Sequence, residues 1–294
     1  AVLTVWVVIT VTFFATRAVP GGPFASEKAI TPAAKAALEA KYGLDKPVLE
    51  QYTTYLKDIV LHFDFGPSLK QRGRQVIDVI TDGLKTSAKL GVIAAFASLI
   101  CGVVLGAIAA LRRNKVIDRV IMVITTAFVS MPSFIMGSLM LVAFSIKLAI
   151  LPANGSTTEG LILPVITLAL YPTAYITRLT RSSMLDVLGQ DYIRTAKAKG
   201  VPGKRIIFGH ALKNSLIPVI TYFGPMLAYI VTGSLVVEQI FAVPGIGRAF
   251  VNSIINRDYP LIMGTTIVLA ALIVIMNLVG DILYKVVDPR INLE

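Results

Sequence analysis

The chain has 294 residues, of which 55% are apolar and only 15% charged. A disordered chain is too poor in apolar residues to match this, and a soluble domain carries about 25% charge, so an integral membrane protein remains. One cysteine, Cys101, excludes a disulfide scaffold, and the net charge of +11 lies mostly between apolar runs, where membrane topology explains it better than nucleic acid does.

A helix crossing the hydrocarbon needs about 20 apolar residues, with a range of roughly 17–25. Uncharged runs of that order cover residues 1–16, 90–111, 120–146, 160–177, 214–237 and 259–280. No period-2 alternation of a membrane barrel is present, so the runs read as six helices of an all-α membrane protein. The first run has a rival reading as a signal peptide, with residues 15–18 as its cleavage site. It lacks an initial Met and a basic n-region, so it is read as a retained helix, trimmed at its start.

Residues 18–87 follow, with nine basic and eight acidic residues. Residues 33–42 read as a short helix, with Thr31 as N-cap, Pro32 in the first turn and Gly43 as the stop. Residues 47–62 read as a second helix. Residues 76–84 carry Val76, Ile77, Val79, Ile80 and Leu84 at helical spacing and are expected to lie along the outer interface. The segment reads as a folded cap that tethers the bundle.

The second run contains small residues at four-residue intervals: Ala94, Ser98, Gly102, Gly106 and Ala110. In lipid such a stripe lets another backbone approach closely, here within the chain rather than across a dimer. Pro132, Pro164, Pro172, Pro218 and Pro225 fall in the third, fourth and fifth runs. Each removes a backbone hydrogen bond, and bends of this kind tend to face protein or a water-filled path. An ion-coupled transporter normally keeps an acid at membrane depth, and no run has one near its centre.

Basic residues orient the bundle. The loop 112–119 holds Arg112, Arg113, Lys115 and Arg119 against Asp118, and the loop 178–213 holds eight basic residues against Asp186 and Asp191. Six helices put both loops and both termini in the cytoplasm, and residues 18–87 outside. Two histidines, His62 and His210, stand far apart, and no HExxH, Walker A or dinucleotide sequence occurs. No residue is assigned to catalysis, to a cofactor or to a metal. Any ATP used for transport must be hydrolysed by a partner.

The loop is most informative around Asp191-Tyr192-Ile193-Arg194-Thr195-Ala196-Lys197-Ala198-Lys199-Gly200-Val201-Pro202. Helix propensity is good as far as Lys199, Gly200 is a natural stop, and Pro202 suits the first turn of a new helix. A narrow basic knob of this kind fits a groove on a soluble partner. The loop resembles the EAA motif of bacterial binding-protein-dependent ABC importer permeases. Arg194-Thr195-Ala196 stands where the general pattern has Glu-Ala-Ala, Gly200 is the motif glycine, and Lys213 replaces the motif's later proline. The form Arg-Thr-Ala-x-Ala-Lys-Gly is similar to the peptide/nickel branch. Val19-Pro20-Gly21-Gly22-Pro23-Phe24, Asp64-Phe65-Gly66-Pro67-Ser68, Ser130-Met131-Pro132-Ser133-Phe134, Phe241-Ala242-Val243-Pro244-Gly245-Ile246-Gly247, Asn256-Arg257-Asp258-Tyr259-Pro260 and Asp288-Pro289-Arg290 extend the resemblance along the chain. The outer segment is most similar to the B-type permease subunit of oligopeptide importers.

The resemblance implies the six-helix type I ABC importer permease fold: a first helix over residues 1–17, an external segment over 18–87 and a five-helix core over 88–294, with the coupling loop at 182–213. It implies a bacterial inner membrane, a second homologous permease, two ABC ATPases that bind ATP and Mg, and an external peptide-binding protein. The cargo would be oligopeptides, or alternatively dipeptides, nickel chelates or antimicrobial peptides. Residues 191–202 would dock the ATPase, and Ser130, Ser133, Thr167, Tyr171, Tyr222 and Tyr229 are candidates for the translocation path.

Overall fold

A computed structural model describes residues 2–20, 22–24 and 32–287. Its helices, in chain order, are α1 (Val2–Ala18), α2 (Pro32–Lys41), α3 (Val48–His62), α4 (Val76–Leu111), α5 (Val116–Ser130), α6 (Ser133–Met140), α7 (Ile162–Leu188), α8 (Asp191–Ala198), α9 (Gly203–Arg205), α10 (Lys213–Val231), α11 (Leu235–Ile240), α12 (Ile246–Ile255) and α13 (Tyr259–Val287). Short π-helical turns extend α6 over Leu141–Lys147 and join α9 to α10 over Ile206–Leu212. No strand occurs among the described residues; Pro67 and Gln75 form a lone bridge. Thr31 and Asp288-Pro289-Arg290 lie outside the described residues.

Four continuous stretches are long and apolar enough to cross a membrane: Val76–Leu111, Glu159–Leu188, Gly203–Val231 and Tyr259–Gly280. A fifth is broken. The uncharged run over residues 120–146 becomes two helices, Val116–Ser130 and Ser133–Lys147, meeting at 108°. Pro132 is the cause. The residue before a proline is driven out of the α region, and Met131 accordingly sits at φ −90°, ψ 127°. Pro172, Pro218 and Pro225 lie inside helices that stay continuous. α1 is apolar and 17 residues long. Residues 76–84, expected to be helical, are the start of the 36-residue α4. Lys85 and Lys89 ended the uncharged run without ending the helix, because charge does not interrupt backbone hydrogen bonding.

The chain forms two compact units, one of residues 1–86 and 244–274, the other of residues 87–243 and 275–294. The first unit has its core in Ile9 and Phe13 of α1, Ile59 of α3, Val76, Val79 and Ile80 of α4, Ile246 of α12, and Leu261, Met263 and Ile267 of α13. Three segments of the family pattern meet within this unit. The buried Asp258 accepts hydrogen bonds from the Ser68 hydroxyl and from the Leu69 N–H at 3.1 Å, and it also takes the Leu261 N–H at the start of α13 at 3.4 Å. Its neighbour Arg257 donates from Nη1 to the Pro20 carbonyl at 2.9 Å.

In the second unit α7 is central, packed by α5, α6 and α10. All five small residues of the α4 stripe are buried, while Ile93, Phe96, Ile100, Val104 and Ile108 on the same helix are exposed. A Cβ on Gly102 would lie 2.6 Å from Ile176 Cγ2, and one on Gly106 would lie 2.6 Å from the Thr177 carbonyl oxygen. The stripe therefore serves contact with α7, as intrachain packing requires. Glu238 is fully buried in α11; it accepts from the Ser87 hydroxyl at 2.7 Å and the Ser234 N–H at 3.1 Å.

Candidate functional site

The predicted knob is an ordered elbow. α8 ends at Ala198, and Gly200 takes φ +75°, the left-handed conformation that costs glycine nothing. Gly200 N–H bonds to the Lys197 carbonyl at 3.0 Å and Val201 N–H to the Ala196 carbonyl at 3.1 Å. These are the paired bonds of a Schellman stop, which satisfy carbonyls that the helix end would leave open. Pro202 follows at ψ 138° as the N-cap of α9, one residue earlier than expected. Its fixed φ makes the turn abrupt.

Burial and exposure divide the elbow into an anchor and a rim. Ile193 and Ile206 are buried and hold it from beneath. Asp191, Arg194, Thr195, Lys197, Ala198, Lys199, Gly200 and Pro202 are exposed, and Ala196 and Val201 are half-buried. Tyr192 reaches across the elbow, its hydroxyl accepting from Asn214 Nδ2 at 2.8 Å. No atom lies within 4 Å of where a Cβ on Gly200 would stand. The tip is open space, so its shape is available to a second surface.

Two features of this region were missed in the sequence. Phe208, on the π-helical turn after α9, is 68% exposed; an aromatic residue inside a basic loop was the available signal. Arg181 on α7 donates to Asp118 on α5 through Nε at 2.6 Å and Nη2 at 2.8 Å. The Asn114 N–H adds a third bond to the same carboxylate at 2.9 Å. Both charges had been counted only as topology markers.

The six path candidates divide. Tyr171 and Tyr229 are exposed, Tyr222 is half-buried, and Tyr222 stacks on Tyr175 with ring centroids 4.3 Å apart. Together they make an aromatic face across α7 and α10. Ser130 and Ser133 are exposed on either side of the Pro132 break. Thr167 is 3% exposed and belongs to the interior, where its side chain abuts Gly137.

Comparison with known proteins gives this geometry a family. Residues 102–293 match the model of the binding-protein-dependent transport system inner membrane component, and residues 1–90 match the corresponding N-terminal model. The chain belongs to the binding-protein-dependent transport permeases. Its relatives include the dipeptide transport system permease protein DppB of Bacillus subtilis, 47% identical over 99% of this chain and 94% of that protein. The oligopeptide transport system permease protein OppB of Salmonella typhimurium is 45% identical over 99% of this chain and 96% of its own length. A solved structure of the inward-facing methionine ABC transporter MetNI covers 72% of this chain and 97% of its own, with a TM-score of 0.56 at 16% identity. An amino acid ABC transporter solved with histidines covers 73% and 95%, with a TM-score of 0.57. At this identity the two show the fold alone, over nearly three quarters of the chain.

No group of three or more His, Cys, Asp or Glu side chains is gathered among the described residues. In this multi-pass permease, polar pairs such as Asp118 and Arg181 join helices, as α5 is joined to α7.

Proposed function

We propose that this permease subunit carries oligopeptides across the membrane in an ATP-driven importer and is moved by partner ATPases at residues 191–202. The ordered elbow, anchored by Ile193 and open at Gly200, is the observation that carries the reading. A rigid projection transmits force in either direction, and the exposed Arg194, Lys197 and Lys199 supply charge for acidic partner residues. α1 and the broken pair α5 and α6 would complete six spans with the four continuous ones. Both termini would face the cytoplasm, residues 18–87 would lie outside, and residues 88–294 would form the core, with the coupling loop at 182–213. A second homologous permease would cover the aromatic face of Tyr171, Tyr175, Tyr222 and Tyr229, so that peptide passes between the two. An external binding protein would deliver the peptide, and two ATPases would bind ATP and Mg.

Dipeptide transport is the second reading, favoured by the 47% identity to a dipeptide permease. Copurification in mild detergent followed by reconstitution with the companions tests the proposal. Gly200→Arg should insert normally yet lose the ATPases and ATP-dependent peptide uptake. Accumulation of peptide by the chain with no companion present would refute it. Competition among peptides of different lengths separates the two cargo classes.

A further inference from the structure

Within the first compact unit, a cavity of about 260 Å³ opens beside the last turn of α1. On that measure a single water needs only roughly 10–15 Å³. Three polar side chains on its wall, from three different helices, each carry a buried atom without a partner: Arg17 Nη1, the Tyr55 hydroxyl and the Tyr259 hydroxyl. Tyr259 is only 7% exposed. A buried polar group without a partner bears its full desolvation penalty, so three at one cavity point to something that satisfies them.

The chemistry of the three groups defines that occupant. Arg17 carries a permanent positive charge. Its Nε donates to Gln51 Oε1 at 3.0 Å, and its guanidinium lies over the Phe13 ring at 3.5 Å, and both of these partners are neutral. No carboxylate pairs with it among the described residues. Burial pushes the Tyr55 phenol above its ordinary range, so this hydroxyl stays protonated and able to donate. The two acids on the wall are turned to other partners. Asp64 accepts the Gly66 N–H at 2.8 Å, and Asp58, half-exposed, faces His62 at 4.0 Å. One cation and two hydroxyl donors without an acceptor describe an oxyanion site.

We propose that this cavity binds the phosphodiester of a membrane phospholipid, held by Arg17, Tyr55 and Tyr259. The acyl chains have a surface beside it. Trp6, Val7, Val11 and Phe14 are exposed along α1, and Arg17 stands in its last turn, which the six-span reading proposed above would put at the headgroup layer. Free inorganic phosphate offers the same oxygens without the chains, and the two sources separate experimentally.

The test uses the full chain with its copurifying companions, stripped of lipid in detergent. Native mass spectrometry and thermal melting are followed during titration with phosphatidylglycerol, phosphatidylethanolamine or inorganic phosphate. Wild type should bind phospholipid and melt higher as it does. Tyr259→Phe and Tyr55→Phe should each weaken that binding about tenfold or more, the value of one hydrogen bond to a charged group. Neither removes a contact within the protein, so without lipid each should melt at or above wild type. Arg17→Gln should weaken binding further. If phosphate alone binds and raises melting in wild type but not in Tyr259→Phe, the oxyanion site stands and the lipid assignment is overturned. Equal lipid binding by wild type and the Tyr55→Phe, Tyr259→Phe double variant, with no response to phosphate, overturns the site.

Discussion

The Asp118–Arg181 pair offers the sharpest test of how the second unit is held. Asp118 is 3% exposed and takes both arms of the Arg181 fork, so Asp118→Asn leaves a guanidinium facing a neutral amide. Removing one partner of a buried pair costs about 3–5 kcal/mol. The Arg181 side chain is 24% exposed, and water at that edge recovers part of the penalty, which brings the expected loss to about 2–3 kcal/mol. Arg181→Met strands the carboxylate, which keeps only the Asn114 N–H, and should cost a similar amount. The double variant Asp118→Leu, Arg181→Met leaves no charge stranded and should recover most of the loss, because an apolar pair of similar volume often replaces a buried ion pair without penalty. Thermal inactivation half-life in detergent and ATP-dependent uptake provide the readouts. If the single variants stay within about 0.5 kcal/mol of wild type, as ordinary surface changes do, the pair does not fasten α5 to α7. If the double variant is as unstable as either single one, the loss comes from packing rather than from a stranded charge.

Three further outcomes follow from the geometry. Gly106→Leu should prevent α4 from seating on α7, because even its Cβ would fall 2.6 Å from the Thr177 carbonyl oxygen; overpacking of this kind costs about 1–3 kcal/mol or more, read as lost thermostability. Asp258→Ala leaves the Ser68 hydroxyl and the Leu69 N–H without their acceptor and should lower stability by about 2–3 kcal/mol, with faster proteolysis of the first unit. Gly200→Val forces a branched residue to φ +75°, at about 1–2 kcal/mol of local strain, so melting should fall slightly while ATP-coupled uptake falls steeply. Gly200→Asn, which tolerates the left-handed region, should keep more uptake than Gly200→Val.

What the sequence revealed and what it hid divide along the range of the interactions. The elbow was legible because a Schellman stop is local: Ala196, Lys197, Gly200 and Val201 make its bonds among themselves. A bend at Pro132 was expected on the same local ground, but so were bends at Pro172, Pro218 and Pro225, whose helices stay continuous; the full break and its 108° angle depend on what the two halves pack against. Asp118 and Arg181 are 63 residues apart, and Ser68 and Asp258 are 190 apart. No spacing rule reaches that far, and each partner alone reads as an ordinary polar residue near a helix end.

The deeper obstacle is that a membrane removes the contrast on which core assignment rests. In water a buried residue is apolar and an exposed one usually polar, but here Ile100 is 62% exposed and Ile176 is fully buried, and hydropathy cannot tell them apart. Without a hydrophobic drive between helices in lipid, close approach of backbones decides which face packs. On α4 that inverts the usual pattern: Gly102 and Gly106 are inside, while Phe96, Ile100 and Val104 are outside. The small residues, rather than the greasy ones, marked the interior. By that criterion α1 differs from α4, since its buried residues are Ile9, Phe13 and Thr16 and its contacts are aromatic, with Phe13 edge-on to Tyr52 at 5.2 Å. The cavity beside Arg17 lies against this helix, whose seat is built of large side chains.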